Sequence, residues 1–470
     1  MKLSNLMGRV VAASFLALWI PATSQAFVID DEDDPKDAGE EEVEDEDAES
    51  LIAIVGGDVH VGNGEVIRGA TILAREGKIE EIGLDVYVPE EAEILDVSGL
   101  RVYPGLVAIT SAGLVGGNSD FQDTYDPFSS ALTLGLGSGI TSTGAGSSAV
   151  KLKRFDMEDV VIRDKTYLNM RWDGRDPSSK RALREKLEKA SAYLRDYREW
   201  QEKVKKDKEL KEPSKKGIDS STLAVLRGEV NARFKADDRD DLLGIARLSR
   251  KYGFRPTIEG CREGWTVADE LGRAGATAIL VPRQRRAKDE RLVRDGGSSI
   301  ENAAILHRSG VSVAVRPPRT SIDLGGIVGR DIMHLPIEAD FAIRGGLPEQ
   351  AALEAITIIP ARIMGISHRV GSIEVGKDCD VIVTDGDLLH YRTFVQYAIV
   401  DGRVVYDKQD ELFFAHIRPR PEVEVDAGET TEESAEGSDD DESDESDEES
   451  DEDGEDEEED EDEGDEEDDD

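Results

Sequence analysis

The middle of the chain, residues 104–362, alternates runs of strand length with amphipathic segments of helical spacing. Arg255–Glu259 and Thr277–Val281 have the length and residue types of strands, and Glu263–Ala274 between them has helical spacing. Such units recur about every 20 to 35 residues, which is typical of parallel strands joined by crossover helices. Because the segment also has a suitable length, we predict an α/β fold built on a (β/α)8 barrel of the TIM type.

Both flanks of this segment have the pattern of antiparallel β structure. Residues 51–103 contain apolar runs of strand length separated by turn sequences such as Gly62-Asn63-Gly64. Residues 363–418 repeat this pattern, with Asp401-Gly402 as a turn between two apolar runs. Since unpaired edge strands tend to find partners, we predict that the two flanks form one small β-sandwich beside the barrel.

A charged stretch interrupts the barrel pattern at residues 177–216, and Pro213 lies near its end. Its apolar side chains recur at helical spacing on one stripe: Leu183, Leu187, Ala190, Leu194 and Tyr197. We interpret the stretch as a helical insertion. It is either a solvated helix lying on its own barrel or a helix used in assembly.

Acidic residues are concentrated in two segments outside the predicted folded part. Asp30–Glu49 holds 14 acidic residues and one lysine, and residues 421–470 hold 34 acidic residues and no base. Their net charges of −13 and −34 equal the −47 of the whole chain, so the remainder is close to neutral. Such runs repel themselves and bury little apolar surface, so we predict disorder at 27–50 and 419–470. They act either as solubilising tails or as binding sites for calcium or a basic partner, and anionic nucleic acid is excluded as a partner.

The first 26 residues have the pattern of a secretory signal peptide. Lys2 and Arg9 precede the apolar run Val10–Ile20, and Ser24-Gln25-Ala26 is a small-x-small cleavage site. The run is too short to span a bilayer comfortably, although an uncleaved anchor is the alternative. We predict an exported protein, periplasmic or extracellular in a bacterium, without membrane contact after cleavage.

The chain has two cysteines, Cys261 and Cys379, which fall in different predicted substructures. Two isolated cysteines do not make a disulfide framework, even in an exported protein. We interpret both as small buried residues.

Three sequence motifs resemble those of a known enzyme family. Residues 346–362 read Gly-Leu-Pro-Glu-Gln-Ala-Ala-Leu-Glu-Ala-Ile-Thr-Ile-Ile-Pro-Ala-Arg, and residues 370–380 read Val-Gly-Ser-Ile-Glu-Val-Gly-Lys-Asp-Cys-Asp. Residues 103–114 read Tyr-Pro-Gly-Leu-Val-Ala-Ile-Thr-Ser-Ala-Gly-Leu. Together they resemble the amidohydrolase superfamily, in particular its imidazolonepropionase-like exported bacterial members. The likeness extends over Leu51–Asp407.

The resemblance implies a hydrolytic site at the carboxyl ends of the barrel strands, where histidines and an aspartate hold a divalent metal such as zinc. The family's first strand ends Pro-Gly-Leu-Ile-Asp-x-His-x-His, but here Thr110 and Ala112 stand at the two histidine positions. Lys235 and Gly260 stand at the histidine positions of strands five and six, and Pro318 stands near the aspartate position of strand eight. Because these residues offer a cation few lone pairs, we predict no metal cofactor.

The remaining polar residues near the predicted site are the candidates for its chemistry. Lys235 could replace the charge of an ion by pairing with Asp237 or Glu259, or could act as a base or Schiff-base amine. Five of the six histidines fall in the predicted flanks or inside a predicted helix, and only His334 could approach the barrel mouth. The candidate residues are therefore Lys235, Asp237, Glu259 and His334.

Lys151 or Lys153 could match the carboxylated lysine that the resemblance implies on strand four. Both lie in a charged stretch, so an ordinary surface position is the alternative.

Three functions fit these observations. The first is a metal-deficient, catalytically degenerate relative of the amidohydrolases that binds a ligand or assembles with itself or with an active homologue. The second is a hydrolase that acts on carbon–nitrogen bonds of cyclic amides or small peptides with a non-standard site. The third is an envelope protein that acts through its acidic, cation-binding tails. The fold does not choose among them, because function depends on the site.

Overall fold

A computed structural model of the 470-residue chain describes residues 50–115, 124–208, 210–291, 293–322 and 329–411. The predicted signal peptide and the C-terminal acidic tail lie outside these residues, as does the N-terminal acidic linker except for Ser50. None of the described helices combines the length and the apolar character that a membrane crossing requires.

The strands are, in chain order, β1 (Leu51–His60), β2 (Val66–Arg75), β3 (Lys78–Gly83), β4 (Glu93–Asp96), β5 (Arg101–Pro104), β6 (Leu106–Ala108), β7 (Ile140–Ala145), β8 (Ser148–Lys151), β9 (Val161–Arg163), β10 (Tyr167–Asn169), β11 (Asn231–Ala236), β12 (Pro256–Gly260), β13 (Thr277–Leu280), β14 (Ser312–Val315), β15 (Val381–Thr384), β16 (Val395–Val400) and β17 (Arg403–Asp407). The helices are α1 (Ser130–Gly137), α2 (Pro177–Val204), α3 (Ser220–Arg227), α4 (Arg239–Tyr252), α5 (Ala268–Arg273), α6 (Asn302–Arg308), α7 (Leu335–Arg344), α8 (Glu349–Glu354) and α9 (Ile358–Met364).

The two flanks of the chain meet in one eight-stranded sheet of order β17-β16-β15-β5-β1-β2-β3, with β4 also paired to β1. The junction is the antiparallel pair of β5 with β15, in which Tyr103 lies opposite Ile382. The predicted pairing of the flanks is therefore present, but as one continuous sheet in place of two stacked ones. The reason is that β1 hydrogen-bonds to β2 on one side and to β4 and β5 on the other.

The middle of the chain forms two further sheets. Strands β10 to β14 make a five-stranded parallel sheet in sequence order, and β6 to β9 make a four-stranded sheet. The second sheet differs from the predicted ring of eight parallel strands, because β8 returns antiparallel to β7 through a tight turn at Gly146. The segment after α8 lies between the sheets: Val315 N donates to Ala355 O, and Val107 N donates to Ile356 O.

Helix boundaries follow local capping chemistry. Asp176 caps α2 by accepting from two backbone N–H groups, and Pro177 occupies the first turn, where its missing N–H costs nothing. Asp219 caps α3, which ends at Gly228 with φ of 75°. Helix α4 ends in the same way at Gly253, with φ of 76°. Glycine suits both ends because this left-handed conformation strains other residues.

The helical insertion packs on its own chain. Leu183 and Leu187 of α2 belong to the main hydrophobic core, while Ala190 and Tyr193 pack with Leu223 of α3. The stripe expected from the sequence is thus the buried face of the helix, and burial of its apolar area holds α2 against the barrel region.

A buried lysine links the barrel region to the eight-stranded sheet. Lys151 has no exposed surface, and its Nζ lies 2.7 Å from Asp378 Oδ2 and 2.9 Å from Asp380 Oδ1, with Asp401 as a third contact. Lys151 pairs in register with Ser142, which lies opposite Val107 near the start of the parallel strands. This cluster therefore lies toward the end of the barrel region opposite to the one where amidohydrolases keep their site.

The aspartates of this cluster respond differently to burial and to the lysine. Burial acts to raise the pKa of Asp378, but Lys151 and then Lys78 and Arg369 outweigh it and hold that pKa below its usual value. The pKa of Asp401 is lowered as well, since Lys151 and Lys153 outweigh its burial. Asp380 is also buried, and for it burial outweighs Lys151 and raises the pKa.

We predict that Lys151→Met lowers the free energy of unfolding at pH 7 by about 3–5 kcal/mol, because it leaves buried carboxylates without their cation. Asp378 and Asp401 have folded pKa values below the unfolded ones. Their pairing with Lys151 thus stabilises the protein above the unfolded pKa and is lost as pH falls through the folded one. The difference between wild type and variant should shrink below about pH 4 in urea denaturation.

Lys203→Met is the matched control, because Lys203 makes an exposed pair with Glu199 at 3.3 Å on α2. Its loss should cost less than about 0.5 kcal/mol. An equal effect of the two substitutions would contradict a structural role for the buried cluster.

Candidate functional site

The carboxyl ends of the parallel strands bring together residues that are far apart in the sequence. Thr110 follows β6, Glu259 and Gly260 end β12, and Arg316 follows β14. Glu259, Gly260 and Arg316 border a cavity of about 520 Å³, here called the mouth cavity. Its charged lining residues are Arg171, Lys235, Arg262, Arg286 and Arg316, with Asp173, Asp237, Asp238, Asp241 and Glu259. A polar cavity with equal numbers of both charges favours polar or charged ligands.

Arg233 of β11 is the buried cation of this region, with 5% of its surface exposed. Its Nη2 donates to Thr110 Oγ1 at 3.0 Å and to Glu259 Oε2 at 3.0 Å. The guanidinium carbon also lies 4.5 Å from the ring centre of Tyr167, an arrangement that favours a cation. The guanidinium thus joins the ends of β6, β11 and β12.

Glu259 is shared among three cations. In addition to Arg233, Arg316 Nη2 lies 3.3 Å from Glu259 Oε1, and Lys235 Nζ lies 4.0 Å from Oε2. Its side chain is 10% exposed, so the attraction is weakly screened by solvent. Glu259 therefore acts as a counter-ion, and both of its oxygens are engaged by positive charge.

Lys235 and Asp237 do not form the ion pair that was one expectation from the sequence. Lys235 has a side chain that is 80% exposed and reaches only Glu259, at the outer limit of an ion pair. Asp237 instead accepts from Arg262 Nη2 at 2.9 Å. Its other oxygen, Oδ1, is buried without a hydrogen-bond partner among the described residues.

Backbone geometry explains the residue at one former histidine position. Gly260 has φ of +98°, and a Cβ placed there would lie 2.5 Å from Asp237 Oδ1. A histidine at this position would need a different backbone. The other substituted positions are also placed without a metal-binding side chain: Ala112 is exposed with its N–H bonded to Thr320 O, and Pro318 is exposed beyond β14.

Residues at the mouth do not fit the divalent cation of metal-dependent amidohydrolases. Thr110 Oγ1 donates to Ile109 O at 2.8 Å and accepts a hydrogen bond from Arg233. The hydroxyl is therefore already used both as a donor and as an acceptor. The guanidinium of Arg233 would repel a cation placed between these strand ends. Within the described ranges, no three His, Cys, Asp or Glu side chains converge as a metal site.

His334 and the two lysines Lys151 and Lys153 do not take part in the mouth cavity. His334 Nδ1 lies 2.5 Å from Asp331 Oδ1 on a 3₁₀ turn before α7, and it does not line the mouth cavity. Lys151 is enclosed by aspartates, and Lys153 pairs with Asp401 at 2.9 Å, so neither lysine reaches the mouth.

Both cysteines are free and buried, as predicted. Burial raises the pKa of Cys261 to about 12, with Asp237 as a second cause. At neutral pH the thiol stays protonated, so Cys261 is neither a thiolate ligand nor an activated nucleophile.

Three arginines of the mouth were not among the candidates from the sequence: Arg233, Arg262 and Arg316. Arg233 could have been predicted from the sequence. It lies two residues before Lys235 on one strand, and alternate residues of a strand share a face. Arg262 and Arg316 follow β12 and β14, and no sequence pattern showed which way their flexible side chains turn.

We predict that Thr110→Val lowers the free energy of unfolding by about 1.5–3 kcal/mol, because it removes a hydrogen bond to a buried charged group. Thr110→Ser keeps the hydroxyl and should cost less than about 1 kcal/mol. Urea denaturation at pH 7 measures both. Equal stabilities of the two variants would show that Arg233 does not depend on the hydroxyl.

Comparisons with known proteins concern the family and the fold of this chain. The sequence model described as "Amidohydrolase family" matches residues 281–411. The chain is 29% identical to a probable imidazolonepropionase of Mus musculus over 196 residues, which are 36% of this chain and 44% of that protein. It is 26% identical to an adenine deaminase of Rubrobacter xylanophilus over 151 residues, or 32% of this chain and 23% of the relative. The chain thus spans less than half the length of these curated relatives.

A crystal structure of an amidohydrolase from Thermotoga maritima is similar over its whole length. The similarity covers 76% of this chain and 100% of the other, with a TM-score of 0.57 and 24% sequence identity. This likeness supports a TIM-barrel-type α/β fold for the middle of the chain. The matched family segment and the imidazolonepropionase relatives support membership of the amidohydrolase superfamily.

Proposed function

We propose that this protein is a metal-independent member of its superfamily that binds a polar ligand at the barrel mouth and does not hydrolyse it. The single observation that carries the proposal is the position of Arg233. Its guanidinium bonds to Thr110 Oγ1 and Glu259 Oε2, each at 3.0 Å, where the family pattern places histidines around an ion.

The charge at the mouth is supplied by side chains. A metal site needs several lone pairs directed at one point, whereas Arg233, Arg316 and Lys235 direct N–H donors at Glu259. The guanidinium group of arginine has no hydrogen-bond acceptor, and it stays positively charged throughout the pH range in which proteins fold. The mouth can therefore hold and orient a polar ligand by hydrogen bonds and charge.

Hydrolysis would require functions that these residues do not supply. An amide carbonyl must be polarised and a water molecule must be activated, which a metal or a free general base performs. Glu259 is engaged on both oxygens by arginines, and Asp237 is held by Arg262. Carboxylates whose oxygens face arginines in this way are not positioned to take a proton from a water molecule, which favours binding over turnover.

We predict that the purified full-length protein contains less than about 0.1 transition-metal ion per chain, because the mouth lacks the ligand set that a stable site requires. The protein is dialysed against metal-free buffer and its zinc, manganese and iron contents are measured by elemental analysis. A known zinc protein handled in the same buffers controls for stripping of metal. In the same preparation, a panel of cyclic amides and dipeptides should show no turnover with or without added zinc or manganese.

Arg233→Ala provides a matched test of what prevents metal binding. The variant removes the positive charge and adds no ligand, so it should bind no more metal than the wild type. Stoichiometric metal in the wild type together with turnover of a cyclic amide or dipeptide would overturn the proposal. A hydrolase of carbon–nitrogen bonds with a non-standard site would then be the function.

A further inference from the structure

A second cavity adjoins the mouth on the side of β13 and β14. Its volume is about 1010 Å³, and it is bordered by the loop that follows β13, by the start of the loop after β14 and by Phe341 of α7. None of its lining residues among those described is acidic. Five are arginines: Arg283, Arg285, Arg286, Arg316 and Arg330. We call this space the arginine cavity.

The five arginines differ in how far the protein neutralises them. Arg283 is paired with the fully buried Glu338 and lies over the ring of Phe341 at 5.1 Å. Arg316 shares Glu259 with Arg233, and Arg286 reaches Asp238 only at 3.8 Å. This part of the chain therefore has an excess of positive charge facing one space.

Arg285 and Arg330 carry most of that excess. Both side chains are exposed, and neither enters an ion pair with any described carboxylate. Arg285 belongs to the loop after β13, whereas Arg330 approaches from the segment before α7. Arg330 feels the charge of the buried Glu338 without pairing with it. Two guanidinium groups outside ion pairs that line one cavity suit a ligand with more than one negative group.

The mouth cavity and the arginine cavity are neighbours. Gln284, Arg286 and Arg316 line both of them. A ligand in the arginine cavity can thus extend to the mouth, where Lys235 offers a further donor. The inference below rests on the proposed function, because it names the ligand class of that same site.

We propose that the arginine cavity binds a small organic molecule or oxyanion that carries at least two negative groups, either carboxylates or phosphates. Guanidinium groups pair with both kinds of oxyanion through two parallel hydrogen bonds, which gives direction as well as charge. A ligand with a single charge uses only one side of the cavity. The volume is at the upper end of the range of small-molecule sites, about 300–1000 Å³, so a polyanion of moderate size fits.

The test compares dianions with their single-group analogues. Succinate and acetate probe carboxylates, and pyrophosphate and inorganic phosphate probe phosphates, with isothermal titration calorimetry on the full-length protein at low salt. We expect succinate or pyrophosphate to bind with a Kd below about 1 mM, and each single-group analogue to bind at least about tenfold more weakly. The better of the two dianions identifies the ligand as a carboxylate or a phosphate compound.

Arg285→Ala/Arg330→Ala should weaken binding of the better dianion about tenfold or more, because it removes two charge-assisted contacts. Arg181→Ala/Arg198→Ala makes the same charge change at exposed positions of α2 and should leave the Kd within about twofold. Glu259→Gln acts in the opposite direction, since it frees Arg316 from its counter-ion, and should tighten binding about threefold or more.

Absence of dianion binding in the wild type, or an equal loss in both double variants, would overturn this inference. Equal affinities for the better-binding dianion and its single-group analogue would overturn it as well. The metal content of the same preparation separates the two proposals. Low metal without dianion binding refutes the ligand class alone, and stoichiometric metal refutes the proposed function.

Discussion

The barrel mouth depends on one buried ion pair, that of Arg233 with Glu259. Three strand ends contribute to it, because Thr110 follows β6, Arg233 lies on β11 and Glu259 lies on β12. Removal of two charges from water is expensive, and it is offset only when geometry and further hydrogen bonds are good. Here the hydroxyl of Thr110, the ring of Tyr167 and a second guanidinium from Arg316 provide those additional contacts. The pair links neighbouring strands through side-chain contacts.

Lys151 is a second buried cation, and it links parts of the chain toward the other end of the strands. Lys151 holds Asp378, Asp380 and Asp401 of the carboxyl-terminal flank, so this charge cluster joins the barrel region to the large sheet. The two clusters differ in composition. The Lys151 cluster has several carboxylates around one cation, whereas the mouth has several cations around Glu259. Positive charge is therefore in excess around Glu259 and in the adjoining arginine cavity, where a ligand can enter.

Local patterns in the sequence were sufficient for the parallel strands, the insertion helix, the burial of both cysteines and the pairing of the flanks. Each of these depends on periodicity, capping or apolar composition within a short window. The antiparallel pairing of β8 with β7 was not predicted. It depends on a two-residue turn at Gly146, whereas the barrel pattern predicted a helix between successive parallel strands. At the mouth, the substituted positions Thr110 and Gly260 were identified from the sequence. The ion-pair partners of Lys235 and Asp237 were not identified from the sequence. Several oppositely charged side chains come within reach of each of them only when the chain is folded.

A guanidinium and a divalent metal are not equivalent sources of positive charge. A metal lowers the pKa of a bound water and so creates a nucleophile, whereas a guanidinium offers only N–H donors. On the other hand, a covalently attached cation is independent of metal supply and remains charged across a wide pH range. A guanidinium thus supplies no means of activating water but attracts oxyanions. Among the described residues, Glu259 is the acidic side chain that contacts both Arg233 and Arg316, so its charge offsets part of the positive charge that an anionic ligand would meet.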